Sequence, residues 1–188
     1  DWTRYTKSDK QGLWDPKRTS NLDKLVDKNY PCVFYDYQLA NYESLASTVR
    51  NQSSEKDIEF IHIDARSVAD GISSKAEEWE ADYGRVLHTI SSKMLAKMVD
   101  FIQQFEDAIS TDPKTLEDLK FVLNQIALIA ESGMDVELEY IDITERYRTL
   151  TRYAIAVPEE EAKEAANLAT RWHQLFCDSK TKDLRLAA

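Results

Sequence analysis

Apolar residues recur three or four positions apart along two long stretches of the chain, a spacing that keeps one face of an α-helix apolar. No interruption long enough to end a helix separates the members of either stretch. The spacing therefore predicts two long helices, of about eleven turns for the first and about nine turns for the second. The first stripe reads Val68, Ile72, Ala76, Trp79, Tyr83, Val86, Ile90, Met94, Met98, Phe101, Phe105 and Ile109, and the second reads Leu119, Val122, Ile126, Ile129, Gly133, Val136, Tyr140, Ile143, Tyr147 and Leu150.

The two long helices are separated by Thr111-Asp112-Pro113. Thr115 is a good N-cap for the second helix, and Glu117 and Asp118 face the positive end of its dipole. Asp64 or Ser67 is the expected N-cap of the first helix. Because the connection is short, we expect the two helices to lie antiparallel.

Three glycines bear on the continuity of these helices. Gly71 and Gly84 lie inside the first helix, where each marks either a close helix contact or a kink. Gly133, after Ser132, leaves the second stripe in phase, which favours a continuous helix.

A third helix is predicted after Val157-Pro158. Pro158 suits the first helical position, and Glu159-Glu160-Glu161 places negative charge in the first turn. The apolar face of this helix is expected to comprise Ala162, Ala165, Ala169, Trp172 and Phe176.

Strand signals occur nearer the N-terminus. Cys32–Tyr35 is rich in aromatic and branched side chains, and Ile58–Asp64 alternates apolar with polar residues, as in a half-buried strand. We expect the two to pair as a ribbon that packs against helices, since two strands alone are marginal in water. Short helices are expected over Asn21–Lys28 and from Tyr37 to Val49.

The first thirty residues predict an irregular arm. Its Trp2 and Trp14 anchor either on a neighbouring surface or on the chain's own helices. The predicted fold is thus mainly α: an elongated antiparallel bundle of long helices with a two-stranded β ribbon and this arm. We divide it into an N-terminal arm with short helices and one strand (1–57), a strand with two long helices (58–157) and a third helix (158–188).

The composition of the chain narrows the classes of ligand and partner that we expect for it. The 188-residue chain carries a net charge of −10, which disfavours nucleic acids and anionic membranes as partners. Its four glycines form no phosphate-binding loop, so no nucleotide is expected. The distant Cys32 and Cys177 are expected to be reduced thiols of a cytoplasmic protein. A start without Met indicates a cut inside a longer chain.

No residue pattern predicts a catalytic, cofactor or metal site. His62, His88 and His173 lack the spacing of a ligand set. The acidic groups at 77–78, 137–139 and 159–161 fall on solvated helix faces or at a helix start, not in a dry cleft. We therefore expect a non-enzymatic chain, and the sequence leaves its partner-binding residues unknown.

The segment Glu145–Leu150 has two interpretations. Tyr147 and Leu150 belong to the apolar stripe, while Glu145, Arg146 and Arg148 project sideways. These charges form ion pairs within the helix, or one of the arginines clamps the acids that follow Pro158. The two arrangements can coexist.

Several segments resemble the tail of axonemal dynein heavy chains just before the linker, and the resemblance covers about Ile58 to Ala188. Glu145–Leu150 and its Pro-Glu-Glu-Glu continuation are the most specific part. The matching segments are Phe60–Asp64, Glu77–Trp79, Thr115–Leu123, Asp142–Leu150, Val157–Glu161 and Trp172–Leu184.

The resemblance implies a tail built from helical bundles that links an ATP-driven motor to the doublet microtubule of a cilium or flagellum. It implies as partners the intermediate chains with WD-repeat propellers, light chains, other heavy chains and, in some inner-arm forms, actin with a light chain. The motor's nucleotide sites would lie far C-terminal of this segment, so the resemblance carries over no active-site residue and no cofactor.

Two alternatives are open at this point. A spectrin-like helical repeat of another cytoskeletal linker would share the long helices and the acidity, although such repeats lack a β ribbon. A helical enzyme with a scattered site would require a deep pocket lined by ionisable groups with shifted pKa values.

Overall fold

A computed structural model describes residues 13–14 and 17–187 of the chain. Over these residues the fold is mainly α, as predicted, with five helices and one two-stranded antiparallel sheet. Most of the predicted irregular arm, including Trp2, lies outside the described residues. The elements are α1 (Arg18–Lys28), α2 (Cys32–Asn51), β1 (Glu55–Ile58), β2 (Ile61–Asp64), α3 (Arg66–Ser110), α4 (Leu116–Arg152) and α5 (Glu159–Ala187).

The two predicted long helices are confirmed, and neither is interrupted. In α4 the buried residues include a strict seven-residue series: Val122, Ile129, Val136, Ile143 and Leu150. A seven-residue repeat keeps the same face of a slightly underwound helix against its neighbours, as in coiled-coil packing.

A reciprocal cap begins α4, and it confirms Thr115 as the N-cap. The Asp118 backbone N–H donates to Thr115 Oγ1 at 3.1 Å, and the Thr115 N–H donates to Asp118 Oδ2 at 3.0 Å. This exchange satisfies backbone donors that have no partner inside the helix. The predicted short connection thus ends at a well-defined helix start.

The third helix is confirmed, but its predicted apolar face is partly wrong. Ala162 and Ala169 are exposed, because the helix turns a different series inward. Alanine is too weakly apolar to fix the phase, so the larger Leu168 and Trp172 set it. The buried series is Ala165, Leu168, Trp172, Leu175 and Ser179.

The strand predicted at Cys32–Tyr35 is wrong: these residues are the first turn of α2. Pro31, with an extended backbone, precedes the helix, and a short apolar run cannot by itself distinguish a strand from a helix start. The burial of Tyr35, Leu39 and Ala46 follows helical spacing.

The β ribbon exists but is a local hairpin. β1 pairs with β2 in antiparallel register, with Ile58 opposite Ile61 and Asp57 opposite His62. Glu59 in the turn adopts φ 53°. All strand residues are exposed, so the predicted half-buried strand packed on helices is wrong.

Contacts divide the chain into two compact units, which are described separately. The first comprises the residues up to Ile90 together with Arg152–Ile155, and the second comprises Ser91–Thr151 with Ala156–Ala188. The division at residues 57 and 157 stays a prediction about domain boundaries.

Stacked aromatic side chains join α2 to α3 in the first unit. The Tyr42 ring stacks on Trp79 and on Tyr83, each with centroids 5.8 Å apart. The Trp79 indole N–H donates to the Leu13 carbonyl at 2.8 Å, and Lys75 Nζ lies 6.0 Å from the Trp14 ring centroid. The arm therefore contacts the chain's own α3 at these two positions.

In the second unit, α5 runs parallel to α3. Partners along the two helices advance together, from Ser92–Glu161 through Glu106–Arg171 to Asp112–Lys182. The antiparallel α4 connects α3 to α5. It packs against α3, because Met98 and Phe101 of α3 line one cavity with Ser132 and Val136 of α4. This is the up-down-up order expected for three helices joined by short connections.

Candidate interaction surface

The three histidines belong to three different elements. His62 Nδ1 lies 2.6 Å from Asp57 Oδ1 across the hairpin, His88 is half-buried in α3, and His173 is exposed on α5. Cys177 Sγ is 3.7 Å from His173 Nε2, a pairing that the four-residue spacing could have revealed. Within residues 13–14 and 17–187, no group of three potential ligands could hold a metal ion.

The acidic residues act as helix caps and ion-pair partners. Arg50 pairs with Glu77, Lys75 with Glu78 at 2.6 Å and Lys163 with Glu159 at 2.6 Å. Asp64, one of the two predicted caps of α3, accepts the Arg66 backbone N–H at 2.9 Å and the Arg66 side chain. These hydrogen bonds lower the pKa of Asp64 from 3.8 to about 2.

The joint between α4 and α5 is formed by a tyrosine. Arg146, only 2% exposed, binds Asp142 at 2.8 Å, and Arg148 binds Glu145, so the predicted ion pairs within the helix are present. Of the acids that follow Pro158, Glu161 makes this contact: its Oε2 accepts a hydrogen bond of 3.0 Å from the Tyr147 hydroxyl. Burial first, and then this hydrogen bond, raise the pKa of Tyr147, which keeps the hydroxyl a donor.

A groove of about 450 Å³ lies in the first unit, and ionisable side chains line it. Burial and the neighbouring Glu43 and Glu77 raise the pKa of Glu80. Both arginines of the groove already form ion pairs: Arg50 pairs with Glu77, and Arg152 pairs with Asp36 at 2.9 Å. The two arginines thus hold elements together, whereas the raised pKa of Glu80 comes from burial and from its acidic neighbours.

An apolar stripe also covers the outer side of α4, and sequence reasoning missed it. Met134 is 75% exposed, Leu138 63% and Ile141 51%. At 3.6 residues per turn the members of the stripe lie roughly 100–160° around the helix from the buried series, close to its opposite side. We call it the outer stripe; its members are Leu123, Ala127, Ala130, Met134, Leu138 and Ile141, all exposed.

Carboxylates border the C-terminal half of the outer stripe. From 131 to 142 the helix contains five acidic residues and no basic one. Within the described part of the chain, Glu131, Asp135 and Glu137 form no ion pair, and Glu131 and Glu137 are exposed. The outer stripe is therefore an exposed apolar surface bordered by the carboxylates of its own helix, a combination that is typical of a protein-binding site.

These features define a helical segment with coiled-coil packing and an exposed apolar stripe. Residues 83–177 match the family model described as "Dynein axonemal heavy chain 2/5/8 coiled-coil". The chain belongs to the axonemal dynein heavy chain family, which places it among proteins of the axoneme of cilia and flagella. This decides against the spectrin-like alternative.

Individual relatives agree with the family model. The chain is 32% identical over 178 residues to human dynein axonemal heavy chain 10, and the match covers 95% of the chain. It is 29% identical over 191 residues, 98% of the chain, to dynein-1-alpha heavy chain of the flagellar inner arm I1 complex of Chlamydomonas reinhardtii. Mouse dynein axonemal heavy chain 2 is 22% identical over 171 residues, 89% of the chain. The chain spans about 4% of the length of each of these relatives.

Proposed function

We propose that this chain is a non-catalytic segment of a dynein heavy chain tail, where it transmits force and serves as a scaffold for other subunits. The observation that carries the proposal is the structure of the second unit. Its three helices bury a continuous apolar series. Hydrogen bonds to the Thr115 cap lower the pKa of Asp118, and the ion pairs with Lys182 and Glu106 lower the pKa of Asp112 and raise that of Arg171, so these shifts arise from a cap and from interhelical pairs.

The proposed partners follow from the family. They are intermediate chains with WD-repeat propellers, light chains and other heavy chains, with the doublet microtubule reached indirectly. In inner-arm forms, actin with a light chain is a further candidate. The net charge of −10 opposes nucleic acids and anionic membranes as partners. No described helix combines the length and apolar composition needed to span a bilayer.

The experiment separates motor chemistry from assembly in the full heavy chain. Ile143 and Leu150, both fully buried, are replaced together by Asp, which places charge in the core of this segment. The microtubule-stimulated ATPase of the purified heavy chain should be unchanged, while incorporation of the arm into axonemes should fall severely.

A matched control replaces the exposed Val33 and Tyr37 by Ser and should leave both readouts intact. If the Ile143→Asp/Leu150→Asp chain assembles normally, the scaffold role is wrong. If the ATPase is lost while the isolated motor region folds, the segment contributes to catalysis and the proposal is also wrong.

A further inference from the structure

We propose that the outer stripe of α4 is the docking site of a basic amphipathic helix. The inference rests on the proposed scaffold function and specifies the chemistry of one partner. Two features of the surface carry it: the spacing of its apolar residues and the sign of the charges beside them.

The spacing fits a helix as the partner. Ala127, Met134 and Ile141 are seven residues apart, and Leu123, Ala130 and Leu138 alternate with them at spacings of three or four residues. Apolar residues that alternate in this way form the seam against which a second helix packs. A helix lying along this seam would bury side chains that the described chain leaves exposed.

The charge selects a basic helix. Glu131, Asp135 and Glu137 surround Met134 and form no ion pair within the described residues. A helix with Lys or Arg beside its apolar seam would neutralise them, which raises the association rate and fixes the register. Basic side chains on the partner are therefore required for specificity.

The same charge opposes a second copy of the chain as the occupant. Two α4 helices paired through Met134 would bring Glu131 and Glu137 of one helix close to the same acids of the other. Like charges at a helix interface oppose pairing. Self-association is therefore an outcome that the test can detect and that would contradict the proposal.

The probes are two synthetic helical peptides of about three heptads. Both have Leu at the seam positions; one has Lys at the flanking positions and the other has Glu. Each is labelled and titrated with the 188-residue chain by fluorescence anisotropy at about 0.15 M salt, where distant charges are screened. The Lys peptide should bind and the Glu peptide should not.

Neutral substitutions separate specific docking from attraction to an acidic protein. Met134→Ser, Leu138→Ser and Ile141→Ser together should weaken binding of the Lys peptide by about tenfold or more. The control replaces the equally exposed Val33, Tyr37 and Leu184 by Ser and should bind like the parent chain. Equal binding by both variants would overturn the proposal.

Charge reversal provides a second criterion that does not touch the apolar residues. Replacing Glu131, Asp135 and Glu137 by Lys should transfer the preference from the Lys peptide to the Glu peptide. Circular dichroism confirms that each variant retains its helix content.

Light scattering tests for self-association. Dimers that are lost in the Met134→Ser/Leu138→Ser/Ile141→Ser chain would assign the stripe to a second copy instead. If neither peptide binds while arm assembly still depends on Ile143 and Leu150, the scaffold function stands and the docking site is wrong.

Discussion

At the residue scale, a few polar contacts fix the positions of helices that apolar packing holds together. The Tyr147 hydroxyl on Glu161 ties the end of α4 to the first turn of α5. Arg171 forms a fork on Glu106, with contacts of 2.8 and 2.7 Å, which ties α5 to α3. A bidentate pair sets direction as well as distance, so these contacts specify the register of the three helices.

Replacing Tyr147 by Phe tests the joint between α4 and α5. The ring continues to fill its buried position, while the hydrogen bond to the carboxylate is lost. We expect the free energy of unfolding in urea to fall by about 1.5 kcal/mol. Tyr37→Phe, which alters an exposed hydroxyl on α2, should change it by less than about 0.5 kcal/mol. Equal effects of the two substitutions would show that the Glu161 contact contributes nothing.

Asp64 predicts a dependence of stability on pH. Its pKa of about 2 lies below the ordinary 3.8, so the folded state favours the ionised carboxylate. Its contribution to stability is complete above about pH 4 and is lost as the pH falls through about 2. The parent chain should be more stable than Asp64→Asn at pH 7, and this difference should close between about pH 4 and pH 2.

The measurement is urea unfolding of both chains across that range. Gln104→Ala, on the exposed side of α3, alters no ionisable group; it serves as the control and should show no difference that closes in this window. A difference between the parent chain and Asp64→Asn that persists at pH 2 would contradict the pKa of Asp64.

At the element scale, the sequence predicted long helices well because their apolar residues are large and repeat many times. It failed at Cys32–Tyr35, where four residues cannot show a period, and on α5, where alanines leave the phase open. It missed the outer stripe because the buried series of α4 is the stronger apolar pattern. The weaker series, close to the opposite side of the helix, is recognised only from the exposure of each residue.

The two glycines of α3 have opposite roles, which sequence alone left undecided. A Cβ on Gly84 would lie 2.9 Å from Ile155 Cγ1, whereas a Cβ on Gly71 would meet nothing within 4 Å. Gly71→Ala should therefore stabilise the chain by about 1 kcal/mol through helix propensity. Gly84→Ala should destabilise it, because overpacking costs about 1–3 kcal/mol and exceeds that gain.

Thermal and urea unfolding of the two variants measure this difference directly. Combining Gly84→Ala with Ile155→Val removes the terminal methyl that the new Cβ would meet and should restore part of the lost stability. If Gly84→Ala stabilises the chain as much as Gly71→Ala, the close approach of Ile155 to α3 is not required for folding.

At the scale of the whole molecule, the dominant property is an excess of negative charge. The chain has 34 acidic and 24 basic residues. Exposed pairs such as Lys163–Glu159 contribute little, typically between about 0 and 1 kcal/mol each. The remaining acids repel one another over distances that salt screens, and this repulsion acts against the compact state.

Raising the salt concentration from about 0.01 to 0.15 M should therefore increase the melting temperature, since the Debye length falls from about 30 to 8 Å. Replacing Glu131, Asp135 and Glu137 by Lys changes the net charge from −10 toward zero and should reduce this salt effect. Differential scanning calorimetry of the two chains at several salt concentrations measures this change in melting temperature.

A melting temperature that falls with salt would instead mean that attractive pairs such as Arg171–Glu106 outweigh the repulsion. In that case the acids beside the outer stripe would not destabilise the folded chain, and a basic partner would not stabilise it by neutralising them. A rise that disappears in the charge-reversed chain would place a substantial part of the repulsion on α4, where the proposed partner would neutralise it.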